Sequence, residues 1–119
     1  MLSKMKFALE NDVDSLITAK VYILITAANS AEAYKLKNAL NSENVILGDY
    51  LDLPAFMISS GKMIRLPNPE SIAYTSEMLT LCLDREIDTI YPIRDDEITL
   101  LNQAELLFSE YRIKIVHSW

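Results

Sequence analysis

The chain has 119 residues, half of them hydrophobic, with a formal charge of −6 and a pI near 4.7. That length suits one domain burying roughly two-thirds of its unfolded surface. The acidic balance argues against nucleic acid and anionic membranes, which need clustered Lys and Arg, and the longest apolar run, Val21 to Ala28, falls far short of the roughly 20 residues of a spanning helix.

Residues 1–19 stand apart as an N-terminal extension. Leu2, Met5, Leu9, Val13 and Leu16 recur every three or four positions among charged residues, the pattern of an amphipathic helix. Its apolar face packs on its own domain, serves a partner chain, or belongs to a frayed leader. Lys4 and Lys6 are followed by Glu10, Asp12 and Asp14, which interrupt the apolar core a signal peptide requires, so a cytoplasmic location is expected.

From Lys20 onward strand-like and helix-like segments alternate, the signature of an α/β domain with a mainly parallel sheet of about five strands between two helical layers, a three-layer Rossmann-like arrangement. Strands are predicted at Val21 to Thr26, Val45 to Gly48, Met63 to Leu66, Thr89 to Ile93 and Arg112 to Val116, all apolar enough for buried parallel strands. After the first strand, Asn29 with Glu32 has capping-box spacing, and Ala33, Leu36 and Leu40 mark one buried helical face. The loop from Asp49 to Lys62 is the longest, with a short helix at Pro54 to Ile58. Asn68 before Pro69 reads as a helix start running to Glu86, with Ile72, Met78, Leu79, Cys82 and Leu83 inward. The last helix follows Asp95 and Asp96 and turns Ile98, Leu101, Ala104 and Phe108 inward.

The turn after the first strand is Ala27-Ala28-Asn29-Ser30, where a dinucleotide-binding domain carries glycines that let the backbone approach a pyrophosphate. The chain has two glycines, Gly48 and Gly61, and neither lies at this turn, so ordinary dinucleotide or phosphate-loop binding is not expected. Ligands of open α/β sheets lie beyond the carboxyl ends of the strands, where the winding reverses. That rule selects Asn29, Ser30, Asp49, Arg94, Asp95, Asp96 and Glu97 as substrate-binding candidates. Asp49 follows Asn29 by 20 positions, near the spacing of a ribose-binding acid, but Asp equally opens a loop by accepting from nearby amides. Arg94 suits an anionic group and the acids an amine or hydroxyl; the alternative is that Asp95 or Asp96 caps the helix while its neighbours complement the dipole.

No catalytic, metal or cofactor residue is selected. No histidine accompanies the acids, His117 and Cys82 lack triad partners at recognisable spacing, and Cys82, the only cysteine, reads as a small core residue that forms no intrachain disulfide. Tyr22, Tyr34, Tyr74 and Tyr91 read as packing residues with a polar tip, and Trp119 as a terminal anchor or a free end.

ILITAANS at Ile23 to Ser30, Asp49 after the second strand, MIRLPNPES at Met63 to Ser71, DTIYPIRDDEITLL at Asp88 to Leu101 and IKIVHS at Ile113 to Ser118 together resemble the preATP-grasp domain. This is the Rossmann-like N-terminal unit of ATP-grasp ligases such as the carbamoyl-phosphate synthase large subunit group, and the resemblance covers residues 20–119. Members often carry glycine near the first turn, where this chain has Ala27, Ala28 and Asn29. In the family the lids that hold ATP and magnesium follow the last strand, whereas this sequence stops at Trp119. The resemblance implies a module without catalysis or cofactor of its own, acting as substrate-binding or assembly partner of a separate ATP-grasp subunit. The alternative is a structural or interaction protein, homodimeric in one form, that has lost ligand binding.

Overall fold

A computed structural model describes residues 21–117, and the expected N-terminal helix at 1–19 lies outside them. The elements are β1 (Tyr22–Ile25), α1 (Ala31–Leu40), β2 (Val45–Asp49), α2 (Ala55–Ser59), β3 (Met63–Arg65), α3 (Tyr74–Asp84), β4 (Ile87–Tyr91), α4 (Asp95–Gln103), α5 (Glu105–Glu110) and β5 (Lys114–Ile115). Every strand pairing is parallel, and the sheet order is β3-β2-β1-β4-β5. The chain winds outward from β1 to β3, then crosses back to β4 on the other side of β1. The reversal therefore falls between β1 and β4.

Successive residues of β1 point to opposite faces, so Leu24 and Ile25 enter different cores. Ile25, Leu47 and Met63 pack against Ala33 and Leu36 of α1 and Leu53 of the following loop. On the other face Leu24, Ile64 and Ile90 pack against Tyr74, Met78 and Cys82 of α3, Leu101 of α4 and Phe108 of α5. Each large apolar side chain buried this way contributes roughly 1.5–3 kcal/mol. Three layers follow directly. Gly48 sits where a side chain has no room: a Cβ there would lie 2.8 Å from Leu66 Cγ.

Several boundaries differ from the sequence-based expectations for local reasons. Ser30, not Asn29, caps α1, its Oγ accepting from Ala33 N–H at 3.1 Å, while Asn29 Nδ2 donates to the Asp52 carbonyl at 3.3 Å. Asn68 opens a turn instead of a helix: its Oδ1 accepts from Glu70 N–H at 2.9 Å, and Ser71 Oγ repeats the pattern with Ala73 N–H, delaying α3 to Tyr74. Ile72 therefore lies before the helix and is fully exposed, and Leu83 is also exposed, whereas Met78 and Cys82 are buried as expected. The last helix breaks at Ala104 into α4 and α5, with Leu101 and Phe108 still inward. β4 begins at Ile87 and ends at Tyr91, and β5 is only two residues long.

Helix ends use left-handed residues. Gly61 (φ 80°) follows α2, with Lys62 N–H donating to the Met57 carbonyl, and Arg112 (φ 63°) follows α5, with Ile113 N–H donating to the Phe108 carbonyl. Both satisfy carbonyls that the last helical turn leaves free.

Candidate functional site at the reversal of the sheet

Three strand ends meet at the reversal: the turn after β1, the loop after β2 and the segment joining β4 to α4. Ala27 adopts φ 56° while 98% buried, the left-handed conformation that glycine takes freely and alanine takes at about 1–2 kcal/mol. Neighbouring strands impose it. Thr26 N–H donates to the Tyr91 carbonyl on one side and Ala28 N–H to the Gly48 carbonyl on the other, so the turn is fixed at both flanks. The backbone thus keeps the shape of a glycine turn, with a methyl group where a close phosphate approach would need none.

Asp49 ends β2 almost completely buried. Its Oδ1 accepts from Leu51 N–H at 3.2 Å, the loop-opening bond anticipated for it, and both oxygens accept from Arg94 Nη2, at 3.0 and 2.8 Å. The carboxylate side chain is fully buried and the Arg94 side chain 28% exposed. Burial works against the charge on Arg94, but the Asp49 hydrogen bond and charge outweigh it and hold the guanidinium's pKa above its ordinary value. The guanidinium carbon also stands 5.2 Å from the Tyr50 ring centre, within cation–π range.

Arg94 occupies the N-cap position of α4 without a side-chain capping bond. Asp95, Asp96 and Glu97 form the first turn, where acids complement the helix dipole. Asp96 Oδ1 accepts from Glu97 N–H at 2.8 Å. Glu97 itself turns inward and is 1% exposed. Its Oε2 accepts from the Tyr74 hydroxyl of α3 at 3.0 Å, while Oε1 has no hydrogen bond of good geometry, although the Thr26 hydroxyl lies close enough to favour the charged form. Desolvation dominates and pushes the Glu97 pKa up to about 7, with Asp96 adding to the rise and Tyr74, Thr26 and Arg94 opposing it. The same burial, reinforced by Glu97, raises the Tyr74 phenol far above its ordinary value.

An open cleft of about 630 Å³ lies over this junction, lined by Ala27, Ser30, Glu32, Tyr50, Ile93, Arg94, Asp95 and Asp96. Of the residues selected from sequence, Ser30, Arg94, Asp95 and Asp96 line it, Asp49 stands behind Arg94, Glu97 faces the core, and Asn29 is engaged by the α2-side loop. Sequence reading missed Tyr50 and the inward turn of Glu97. Position 97 precedes Ile98 at the edge of the apolar face, and only its pairing with Tyr74 across two helices explains the burial. A larger hollow of about 820 Å³ lies at the opposite end of the sheet, beside Tyr22, Val45 and Lys62. That end presents strand starts, without the converging helix N-terminus and turns that make the carboxyl end receptive. Among the described residues no group of three or more His, Cys, Asp or Glu is placed to hold a metal ion, and no helix is long and apolar enough to cross a membrane.

The family described as "PylC-like, N-terminal domain" matches residues 23–116. The chain belongs to this family. The PylC-like N-terminal domain is the preATP-grasp-like domain of ATP-grasp ligases, in agreement with the resemblance carried by the strand-end segments. The match runs from Ile23, the second residue of β1, through β5 and includes every described cleft residue. No curated protein matches the chain.

Proposed function

We propose that this PylC-like domain is the substrate-side module of an ATP-grasp ligase, noncatalytic by itself, working with nucleotide-binding lids supplied by a separate subunit. The observation that carries the reading is the charge pattern of the cleft. Among the described residues its one cation, Arg94, is already paired with buried Asp49, while Glu32, Asp95 and Asp96 line the same opening. Such a surface favours a small ligand with an ammonium or hydroxyl groups over a triphosphate. Ala27 supports the same choice, because its methyl group stands at the turn where phosphate binding needs glycine. Kinship with the carbamoyl-phosphate synthase large subunit and a cytoplasmic location, where ATP is supplied, belong to this proposal.

Calorimetry on the purified chain tests it. ATP and NAD are expected to bind no better than millimolar, with no ATP hydrolysis, whereas a mixture of amino acids and diamines should contain a ligand whose binding is lost in Asp95→Ala or Asp96→Ala. Micromolar binding of ATP overturns the reading. The second reading, an interaction protein in homodimeric form, draws on the exposed Leu106 and Leu107 of α5, on Tyr111 just after it and on Phe56 of α2. A light-scattering mass of two chains, abolished by Leu106→Asp, with no ligand found for the cleft, favours it.

A further inference from the structure

Glu97 is an acid in the first turn of α4 that contributes nothing to the lining of the cleft, yet it is tied to two elements around it and to its own turn. Tyr74 reaches it from α3, Thr26 stands beside it at the end of β1, and its own backbone N–H donates to Asp96, which does line the cleft. Thr26 Oγ1 in turn accepts from Ile93 N–H at 2.8 Å, joining the β1 turn to the segment that carries Arg94. The charged and titratable groups around Glu97 are therefore Tyr74 from α3, with Cys82 on the same helix, and Asp96 and Arg94 on its own turn; Asp49 of β2 stands beyond Arg94.

We propose that Glu97 is a proton-operated latch that sets how strongly Arg94 is neutralised and so makes the charge of the cleft depend on pH. When Glu97 carries its proton, Arg94 is balanced by Asp49 alone. When the proton leaves, a second buried carboxylate bears on Arg94 and adds its repulsion to that of Asp96 within the same helical turn; among the described residues, Glu97 Oε1 and Arg94 Nε–H are both buried without a hydrogen-bond partner, so neither charge is already answered there. The cleft in front of the turn then becomes more acidic. Because burial outweighs the bonds that favour the charged form, this change falls near neutral pH, with the carboxyl titrating at about 7. The regulatory meaning rests on the cleft being the ligand site, with a cationic ligand held more tightly above the midpoint. The latch itself requires no ligand to be seen.

Nuclear magnetic resonance of the isotopically labelled chain between pH 5 and 9 supplies the test. The Glu97 carboxyl carbon is expected to titrate near 7, with Arg94 Nε–H and the amide of Asp96 moving at the same midpoint. Glu97→Gln should hold both of these signals still across that range. A Glu97 midpoint in the ordinary carboxylate range overturns the proposal, as does persistence of the Arg94 and Asp96 shifts in the glutamine variant. Should that variant not fold, Tyr74→Phe supplies the second measurement. The tyrosine hydroxyl donates to the charged form, so its removal should move the midpoint to higher pH, and an unmoved midpoint overturns the latch. Failure of these signals to titrate leaves the cleft reading standing, and failure to find a ligand leaves the latch standing.

Discussion

Arg94 and Asp49 form a pair whose two members are unequally sheltered, and the inequality fixes what each substitution does. Removing the arginine strands a fully buried carboxylate whose remaining partner among the described residues is the Leu51 amide, whereas removing the charge of Asp49 leaves a guanidinium still in reach of water. Breaking a buried pair by deleting one partner costs about 3–5 kcal/mol, and access to solvent lowers the figure. Arg94→Met is expected to lower stability by roughly 3 kcal/mol and Asp49→Asn by about half of that, measured by urea unfolding. Equal losses would mean that the pair contributes through packing instead of charge. Ala27 shows a different economy at the same junction. Its left-handed backbone is opposed by its own Cβ and maintained by the two strand-end hydrogen bonds to Tyr91 and Gly48.

The first turn of α4 separates three adjacent acids that look equivalent in sequence. Asp96 accepts a hydrogen bond from a first-turn amide that would otherwise be free, Glu97 turns into the core, and Asp95 makes no side-chain hydrogen bond to a described residue while remaining near the helix dipole. Replacing an acceptor at a helix N-terminus by alanine costs typically about 1 kcal/mol, whereas asparagine is as good an acceptor there as aspartate. Asp96→Ala is therefore expected to destabilise by about 1 kcal/mol, Asp96→Asn to remain near wild type, and Asp95→Ala to lose no more than about 0.5 kcal/mol. Denaturant melts distinguish the three; a larger loss at Asp95 would contradict this division of roles. The same turn shows what was legible in the residues. Apolar spacing located the buried faces of α1 and α4 because Ala33, Leu36, Leu101 and Phe108 follow helical periodicity. It misplaced the start of α3 because the Asn68 and Ser71 side chains satisfy nearby amides in turns, which competes with the proline-led helix start.

The mainly parallel sheet of about five strands was readable from alternating apolar segments, whereas the strand order, and with it the reversal between β1 and β4, appears only in the folded chain; of the residues chosen by the carboxyl-end rule, Ser30, Arg94, Asp95 and Asp96 line the cleft. The contacts across the sheet were not readable, since Asp49 meets Arg94 and Tyr74 meets Glu97 only after distant strands and helices pack. One such contact makes the stability of the entire domain respond to pH. The folded Glu97 pKa of about 7 exceeds the ordinary value of 4.5, so between these limits the folded chain holds a proton that the unfolded chain has released. Stability from this group is fully present below about pH 4.5 and is lost as pH rises through 7, a total on the order of 3 kcal/mol. Urea melts at pH 5 and pH 8 should show that decline in the wild type and its absence in Glu97→Gln.

The central position of β1 has a consequence for synthesis on the ribosome. β1 emerges first and can pair with β2 as soon as that strand follows, but its other edge waits for β4, since Tyr22 pairs with Ile87 and Ile25 with Tyr91. During that interval the half-built sheet presents an open edge along residues that end in the middle of the finished molecule, with Leu24 and Ile25 fully buried. An unpaired apolar edge is a template for another chain. A translational pause that delays emergence of residues 87–91 from the ribosome should therefore lengthen exposure to chaperones and raise misassembly between nascent chains, while a pause after those residues have emerged should leave the yield unchanged.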